Sequence, residues 1–480
     1  MKPLSPMHLL PRRLSCLLVL ASTALLSACA SLRPASPELP AVRTPAVWSA
    51  PTAGGPQATD LARWWQRFND PALTALVTRA LQANTDAQSA QAALLQARAQ
   101  RDVQAANAGP SLSASGSAQR SQSGSNDAGS RFQAGFDASW EPDVFGGNRA
   151  TVNASEAEAR AAETSLANVQ VSLAAEVAAR YIDLRGLQAR LVIARSNLAL
   201  QTETLQITRW RNQAGLASSL DVEQGVAASE QTRAQIPALQ TSVAQSLNAL
   251  AVLTGQPPGA LQTELGTATT VPPTPPDLAL AFPAETLRQR PDVRTAEHRI
   301  SAALARVDAA EAARYPSFRL SGSLGLSALT LGSLVDSAAL VRSLLASVSA
   351  PLFDGGAARA QVRAQAAALE QARLAYQGTV LNALKDVEDA LVALQGNTER
   401  LARLQAAATA AANAELLARQ RHQSGLVDFR TVLDTQRTLL SAQDSVASTQ
   451  AALSADHVRL YKALGGGWTP DAPSTTTSAR

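Results

Sequence analysis

The chain has 480 residues, a length for which the ordinary prior is about three domains, yet only 4% are aromatic and alanine dominates the apolar set. Such a composition favours long helices over several compact cores. Lys and Arg number 42 against 38 Asp and Glu, and no cationic run offers the clustered charge that nucleic-acid phosphates require, so nucleic acid is not an expected partner.

Lys2, Arg12 and Arg13 precede the apolar stretch Leu14 to Leu26, which is shorter than the roughly twenty residues of a membrane span. The pattern predicts a signal peptide at 1–28, whose loss lowers the net charge from +4 to +1. Leu26-Ser27-Ala28-Cys29 closes the apolar stretch and resembles a bacterial lipobox. That resemblance implies cleavage before Cys29 and attachment of diacylglycerol and an N-acyl chain to it. Cys16 leaves with the signal, so no disulfide is expected within the mature chain. Ala30 follows the cysteine where Asp marks inner-membrane retention, which implies the outer membrane. No later run of about eighteen apolar residues predicts a spanning helix. Residues 29–60 read as an extended lipidated segment.

From residue 61 the chain reads as two copies of one plan. Asp86, Ala90, Pro110 and Gly116 recur as Asp292, Ala296, Pro316 and Gly322 at an offset of 206. Gly146-Gly147 with Arg149 recurs as Gly355-Gly356 with Arg359, and Arg209, Arg211, Gln213, Gly215 and Leu216 recur as Arg419, Arg421, Gln423, Gly425 and Leu426. The copies are assigned to 61–255 and 284–465, with a proline-rich connector at 256–283 and a tail at 466–480.

Each copy is predicted to run helix, β-hairpin, very long helix, turn, helix. Strands are expected at about 110–120 and 131–141, then at about 316–327 and 343–353, because apolar and polar residues alternate there. Phe132, Phe136 and Trp140 share one face, as do Phe318, Leu320 and Leu324. Alternation over about ten residues matches a transmembrane barrel strand, with one face to lipid and the other to water. A half-buried soluble sheet would need an apolar partner surface, and the neighbouring helices are too rich in alanine to supply much. Four strands cannot close a barrel, since lipid tolerates no open edge, so the chain is expected to oligomerise; periodicity does not choose between two copies and three.

Ala150 to Gln213 and Ala357 to Gln423 lack proline and favour helix throughout. Leu166, Val169, Leu173, Val177, Tyr181, Leu184, Leu187, Leu191, Ala194, Leu198 and Leu205 mark a narrow coiled-coil seam on the first. Gly215 and Gly425 are expected as C-caps, with return helices over Ser219 to Leu253 and Asp428 to Leu464.

Five segments carry a family resemblance. Trp64-Trp65-Gln66-Arg67-Phe68-Asn69-Asp70-Pro71-Ala72-Leu73 with Ala80-Leu81 and Asn84 resembles the opening of TolC-like outer-membrane efflux lipoproteins. Trp140-Glu141 with Asp143 to Gly147 and Arg149, Arg290 to Arg294 with Ala296-Glu297, Tyr315 to Phe318, and Ala463 to Trp468 are similar to the same family, in order. The resemblance implies a homotrimer with a twelve-stranded barrel in outer-membrane lipid and a twelve-helix periplasmic tunnel. It implies a passive exit duct of a tripartite pump, whose partners are a periplasmic adaptor and an inner-membrane transporter of the resistance-nodulation-division class. A type I secretion or metal-efflux duct is the alternative within this plan. The resemblance places the periplasmic gate at Arg430, Asp434 and Arg437, with Arg430 where leucine is frequent, and adaptor contact at the tips, Gly215, Leu216, Ala217, Gly425, Leu426 and Val427.

No catalytic set stands out. His8, His298, His422 and His457 lack metal-ligand spacing, Gly465-Gly466-Gly467 lacks the Lys-Ser/Thr of a phosphate loop and reads as a helix stop, and neither enzyme activity nor a cofactor beyond the acyl chains is expected. A periplasmic adaptor would lack the repeated strands, and a diffusion porin would need many more of them.

Overall fold

The computed structural model describes residues 39–40, 42, 48, 61–122, 124, 127–275, 287 and 290–468. The signal segment, Cys29, residues 276–283 of the connector, residues 284–286 at the start of the second copy and the end of the tail lie outside the described residues. The chain divides into two units, Met1–Pro40 and Ala41–Arg480, and the description concerns the second.

After a 3-10 turn at Trp64–Phe68 come α1 (Pro71–Ala83), α2 (Thr85–Asn107), β1 (Ser111–Ser121), β2 (Gly129–Trp140), α3 (Gly147–Gln213) and α4 (Ser219–Leu253). A single helical turn at Gln262–Leu265 precedes α5 (Pro291–Ala312), β3 (Ser317–Ala328), β4 (Leu340–Ser349), α6 (Ala357–Gln423) and α7 (Phe429–Ala463). At about 1.5 Å per residue, the 67 residues of α3 and of α6 each extend about 100 Å. Among the described residues no helix is long and apolar enough to cross a membrane.

The opening motif builds the main core. Trp64 is fully buried, stacks on Tyr461 with ring centroids 5.4 Å apart, and meets Trp65 and Phe68 edge-on. The Asp70 carboxylate caps α1 by accepting from the backbone N–H groups of Ala72 (2.9 Å) and Leu73 (3.0 Å). Its other oxygen accepts from the Tyr181 hydroxyl at 2.8 Å, and burial pushes that phenol up to about 12, which keeps it a donor. Asn84 ends α1 and caps α2, and its amide also donates to the Leu253 carbonyl at 3.1 Å. In the second copy Arg290 does comparable work. Its guanidinium pairs with Asp292 (2.8 Å) and donates to the Ala463 carbonyl (2.6 Å), joining the start of α5 to the end of α7. The glycine run after α7 lies against Trp64, with Gly467 N–H donating to the Leu61 carbonyl at 2.9 Å.

A narrow seam runs along both ends of α3, where Ala150, Ala154, Ala157, Ala161, Thr164 and Ala167, and again Ala194, Asn197, Gln201, Thr204 and Thr208, are buried three or four residues apart. Between Val171 and Gln188 buried residues occupy most of the helix circumference, because α1, α4 and α7 all pack against this stretch. The C-terminal seam is also polar rather than apolar. Gln436 donates to Thr204 (3.0 Å), Asn197 to Gln443 (2.9 Å), and Arg190 forms a two-point pair with Asp444 at 2.7 and 3.1 Å. These bonds hold α7 on α3 and thereby join the two copies of the plan.

Candidate functional site

The four strands form one antiparallel sheet in the order β1-β2-β3-β4. Its register sorts the side chains into two unlike faces. Phe132 stands opposite Ala328, Phe136 opposite Leu324 and Trp140 opposite Leu320, with Phe318 opposite Val348. Phe136, Trp140, Leu320 and Leu324 are exposed, and Phe132 and Phe318 half-buried. The other face carries Ser115 bonded to Asp137 (2.9 Å) and Ser323 bonded to Ser343 (2.7 Å). At the helix end of the apolar face Phe145 stacks on Tyr315 at 4.9 Å and lies 6.3 Å from Phe318.

β4 departs from expectation. It begins at Leu340 and ends at Ser349, leaving Leu352 and Phe353 outside the ladder. Pro351 offers no N–H to extend the pairing, and Asp354 already turns the chain into α6 by accepting from the N–H groups of Gly356 and Ala358, both at 2.8 Å. Those two bonds hold its carboxyl below the usual carboxylate range. The earlier start also brings Arg342 into the strand, opposite Leu324, a residue that the alternation pattern passed over.

The long helices end at two matched tips. Each is a Schellman turn: Leu216 N–H donates to Arg211 O (2.7 Å) and Gly215 to Asn212 O (2.9 Å), while Leu426 donates to Arg421 O (2.8 Å) and Gly425 to His422 O (3.0 Å). The C-caps are Ala214 and Ser424. The glycines sit one residue later, where φ is +74° and +75°, a left-handed conformation that a Cβ disfavours. Leu216 and Leu426 are exposed at the tips, whereas Ala217 and Val427 are half-buried. The carbonyls of the latter two accept from the Asn212 amide (2.8 Å) and meet the His422 Nδ1 (3.1 Å). Arg211 reaches His422 Nε2 at 3.1 Å and so joins the end of α3 to the end of α6.

Just past the second tip, Asp434 lies 3.8 Å from Arg430 and 3.3 Å from Arg437 along one exposed face of α7. Within the chain these charges pair along the helix, and an exposed pair of this kind is worth only ~0–1 kcal/mol. Their value to the fold is small.

Among the described residues no three His, Cys, Asp or Glu side chains gather as a metal ligand set. His298 and His457 are both shifted below the usual imidazole range by burial, His457 to about 4. A groove of about 550 Å³ between α2, α3, α5 and α6 is lined by glutamines, small residues and the Arg306–Glu158 pair at 2.8 Å.

The profile of the outer membrane efflux protein family matches residues 76–256 and 282–466. The chain belongs to the outer membrane efflux protein family. It is 33% identical over 465 residues to the pyoverdine export outer membrane protein OpmQ of Pseudomonas aeruginosa, covering 93% of this chain and 96% of that protein. It is 32% identical to the toluene efflux pump outer membrane protein TtgC of Pseudomonas putida, over 94% of this chain and 96% of that one. Among solved structures, the outer-membrane channel OprN superposes with a TM-score of 0.83 at 36% identity, covering 90% of this chain and all of that one. The open state of the Neisseria gonorrhoeae MtrE outer membrane channel gives 0.81 at 27% identity, over 90% and 97%. The chain is thus an efflux component of the outer membrane, and its four-stranded sheet and long helices are the shared channel architecture.

Proposed function

We propose that three copies of this chain close into a passive exit duct, a twelve-stranded barrel continued by a twelve-helix tunnel, without a catalytic site or bound cofactor. The observation that carries the reading is the open sheet: among the described residues β1 pairs only with β2 and β4 only with β3. Both edges carry unpaired backbone groups that lipid does not tolerate. The helical layer supports the same closure, because Leu374, Leu381, Val392 and Leu417 form one exposed apolar stripe on α6 at spacings that keep one helix face.

In this reading Phe132, Phe136, Trp140, Phe318, Leu320 and Leu324 face lipid, and the serine-rich face lines the water-filled bore. The chain is anchored by an acylated Cys29 in the outer membrane, and 61–255 and 284–465 act as its two structural copies around the 256–283 connector. Energy comes from an inner-membrane transporter of the resistance-nodulation-division class, delivered through a periplasmic adaptor that docks on Gly215, Leu216, Ala217, Gly425, Leu426 and Val427. Arg430, Asp434 and Arg437 ring the periplasmic entrance, and with two cations per anion that ring attracts anionic cargo.

Single-channel recording of the purified, acylated protein in planar bilayers tests this function. Wild type gives a small discrete conductance, and Asp434→Ala or Arg437→Ala raises it roughly twofold, with salt-dependent ion preference as expected of a charged constriction. A well-assembled oligomer whose conductance and ion preference are untouched by both substitutions places the constriction elsewhere.

A further inference from the structure

The apolar face of the sheet carries charge at two positions only. Register places Arg120 on this face of β1, opposite Ser130, and Arg342 on this face of β4, opposite Leu324. The remaining strand charges, Arg131, Asp137 and Arg319, fall on the serine-rich face. Arg120 is the next-to-last residue of β1 and Arg342 the third of β4, so both stand at the hairpin end, within about 10 Å of a turn at the usual strand rise. The aromatic stack of Phe145 and Tyr315 lies at the opposite, helix end. Both arginines are exposed, and among the described residues neither has an ion pair or side-chain hydrogen bond, although Asp127 and Asp336 occupy the adjoining loops.

Arginine on a lipid-facing strand is costly at the bilayer centre and tolerated near the interface, where its stem stays in the apolar layer and its head reaches the headgroups. The two sites also sit on the two edge strands. In a ring of copies β4 of one chain lies beside β1 of the next, so Arg342 of one copy and Arg120 of the next flank the same seam. Like charges brought together on neighbouring strands repel, and an anion between them removes the repulsion. Guanidinium groups match phosphate oxygens two at a time.

We propose that each seam between copies, at its hairpin end, binds the phosphate of a phosphorylated glycolipid headgroup of the outer leaflet through Arg342 of one copy and Arg120 of the next. The proposal rests on the barrel reading above. It makes the lipid a clip across the join between subunits, with three such clips per ring.

Native mass spectrometry of the full-length, acylated oligomer, delipidated and then offered bisphosphorylated lipid A, tests it. Expected are up to three retained lipids per oligomer, about tenfold lower occupancy for Arg120→Gln/Arg342→Gln, and unchanged occupancy for Arg319→Gln on the other face. Enzymatically dephosphorylated lipid A should bind the wild type as poorly as the intact lipid binds the double variant. Equal retention of intact and dephosphorylated lipid overturns the proposal, as does displacement by millimolar inorganic phosphate, which would make the seam a site for free anions. If the double variant fails to assemble, the dephosphorylation arm decides on wild type alone. Conductance and oligomer mass, measured on the same samples, separate the two levels: an assembled, conducting oligomer indifferent to lipid phosphate sinks only this inference, whereas a wild type that neither assembles nor conducts sinks the barrel reading.

Discussion

α3 and α6 are the same helix used in two settings. Each is 67 residues long, and a constant offset of 210 aligns them end to end. α3 nevertheless buries more than twice as many residues as α6. Val171 and Ile182 are 3% and 0% exposed, while their counterparts Leu381 and Val392 are 57% and 59% exposed. The glycines repeat the contrast. A Cβ at Gly186 would lie 2.7 Å from the Ala451 Cβ, whereas one at the matching Gly396 meets nothing within 4 Å. Glycine inside a helix costs about 1 kcal/mol relative to alanine, and close helix approach explains its presence at 186. The matched glycine on α6 argues for a matched neighbour. On α3 that neighbour is α7; on α6, in the proposed oligomer, its place would fall to α4 of the next copy.

The largest expected effects come from charging the two settings separately. Val171→Arg places an unpaired cation in the core, should cost ~3–5 kcal/mol or more, and should yield little folded protein of any size. Leu381→Arg should leave a folded, helical single chain and abolish the oligomer, as read by circular dichroism beside light scattering. Loss of fold in both, or assembly in both, would show that the two helices do not differ in setting. Gly186→Leu and Gly396→Leu probe the same difference between the two helices. The first should lower the thermal midpoint of the single chain, and the second only the stability of the assembled particle.

A smaller effect comes from acid. His457 is 5% exposed and its imidazole is shifted from an ordinary 6.5 to about 4 by burial. The unfolded chain therefore takes up a proton between those values that the folded chain refuses. Stability should be constant above pH 6.5 and fall progressively toward pH 4, by at most ~3 kcal/mol. His457→Gln should flatten that slope in pH-dependent thermal unfolding, and an unchanged slope would assign the acid sensitivity to other groups. Smallest of all, Leu216→Asp with Leu426→Asp should weaken adaptor binding roughly tenfold in a pull-down or interferometry assay. Oligomer mass and conductance should stay as they were.

Much of the architecture is legible in the residues themselves. The proline-free, alanine-rich stretches, the alternation around Phe132 to Trp140 and the glycine tips are local signals, and local hydrogen bonding obeys them. What escapes the sequence depends on neighbours. Nothing in Leu381 or Val392 distinguishes them from Val171 or Ile182, because burial is decided by whether a helix stands inside the layer or at its rim. The polar seam of Asn197, Gln201 and Thr204 reads as a solvated face until α7 is seen against it. Arg342 hides for a related reason: a cation breaks the apolar alternation, so the strand seems to begin after it, and only the pairing with Leu324 places it on the apolar face. The opening motif is recognisable as a family mark and its Asp70 cap is local, but the Trp64–Tyr461 stack and the bond from Tyr181 to Asp70 depend on residues more than a hundred positions distant.

If copies of the chain assemble as proposed, α4 of another copy completes α6 as α7 completes α3. Gln436 bonds Thr204 across the α3–α7 seam; the positions 210 residues away are Val226 on α4 and Ala414 on α6, and Ala414 is exposed. The most direct test is to combine Val226→Cys with Ala414→Cys in the mature acylated protein and treat it with a short thiol cross-linker. Covalent dimers and trimers, ending at three, are expected on a denaturing gel. Linkage within single chains, no linkage in an assembled particle, or a ladder that stops at two or runs past three would contradict this assembly.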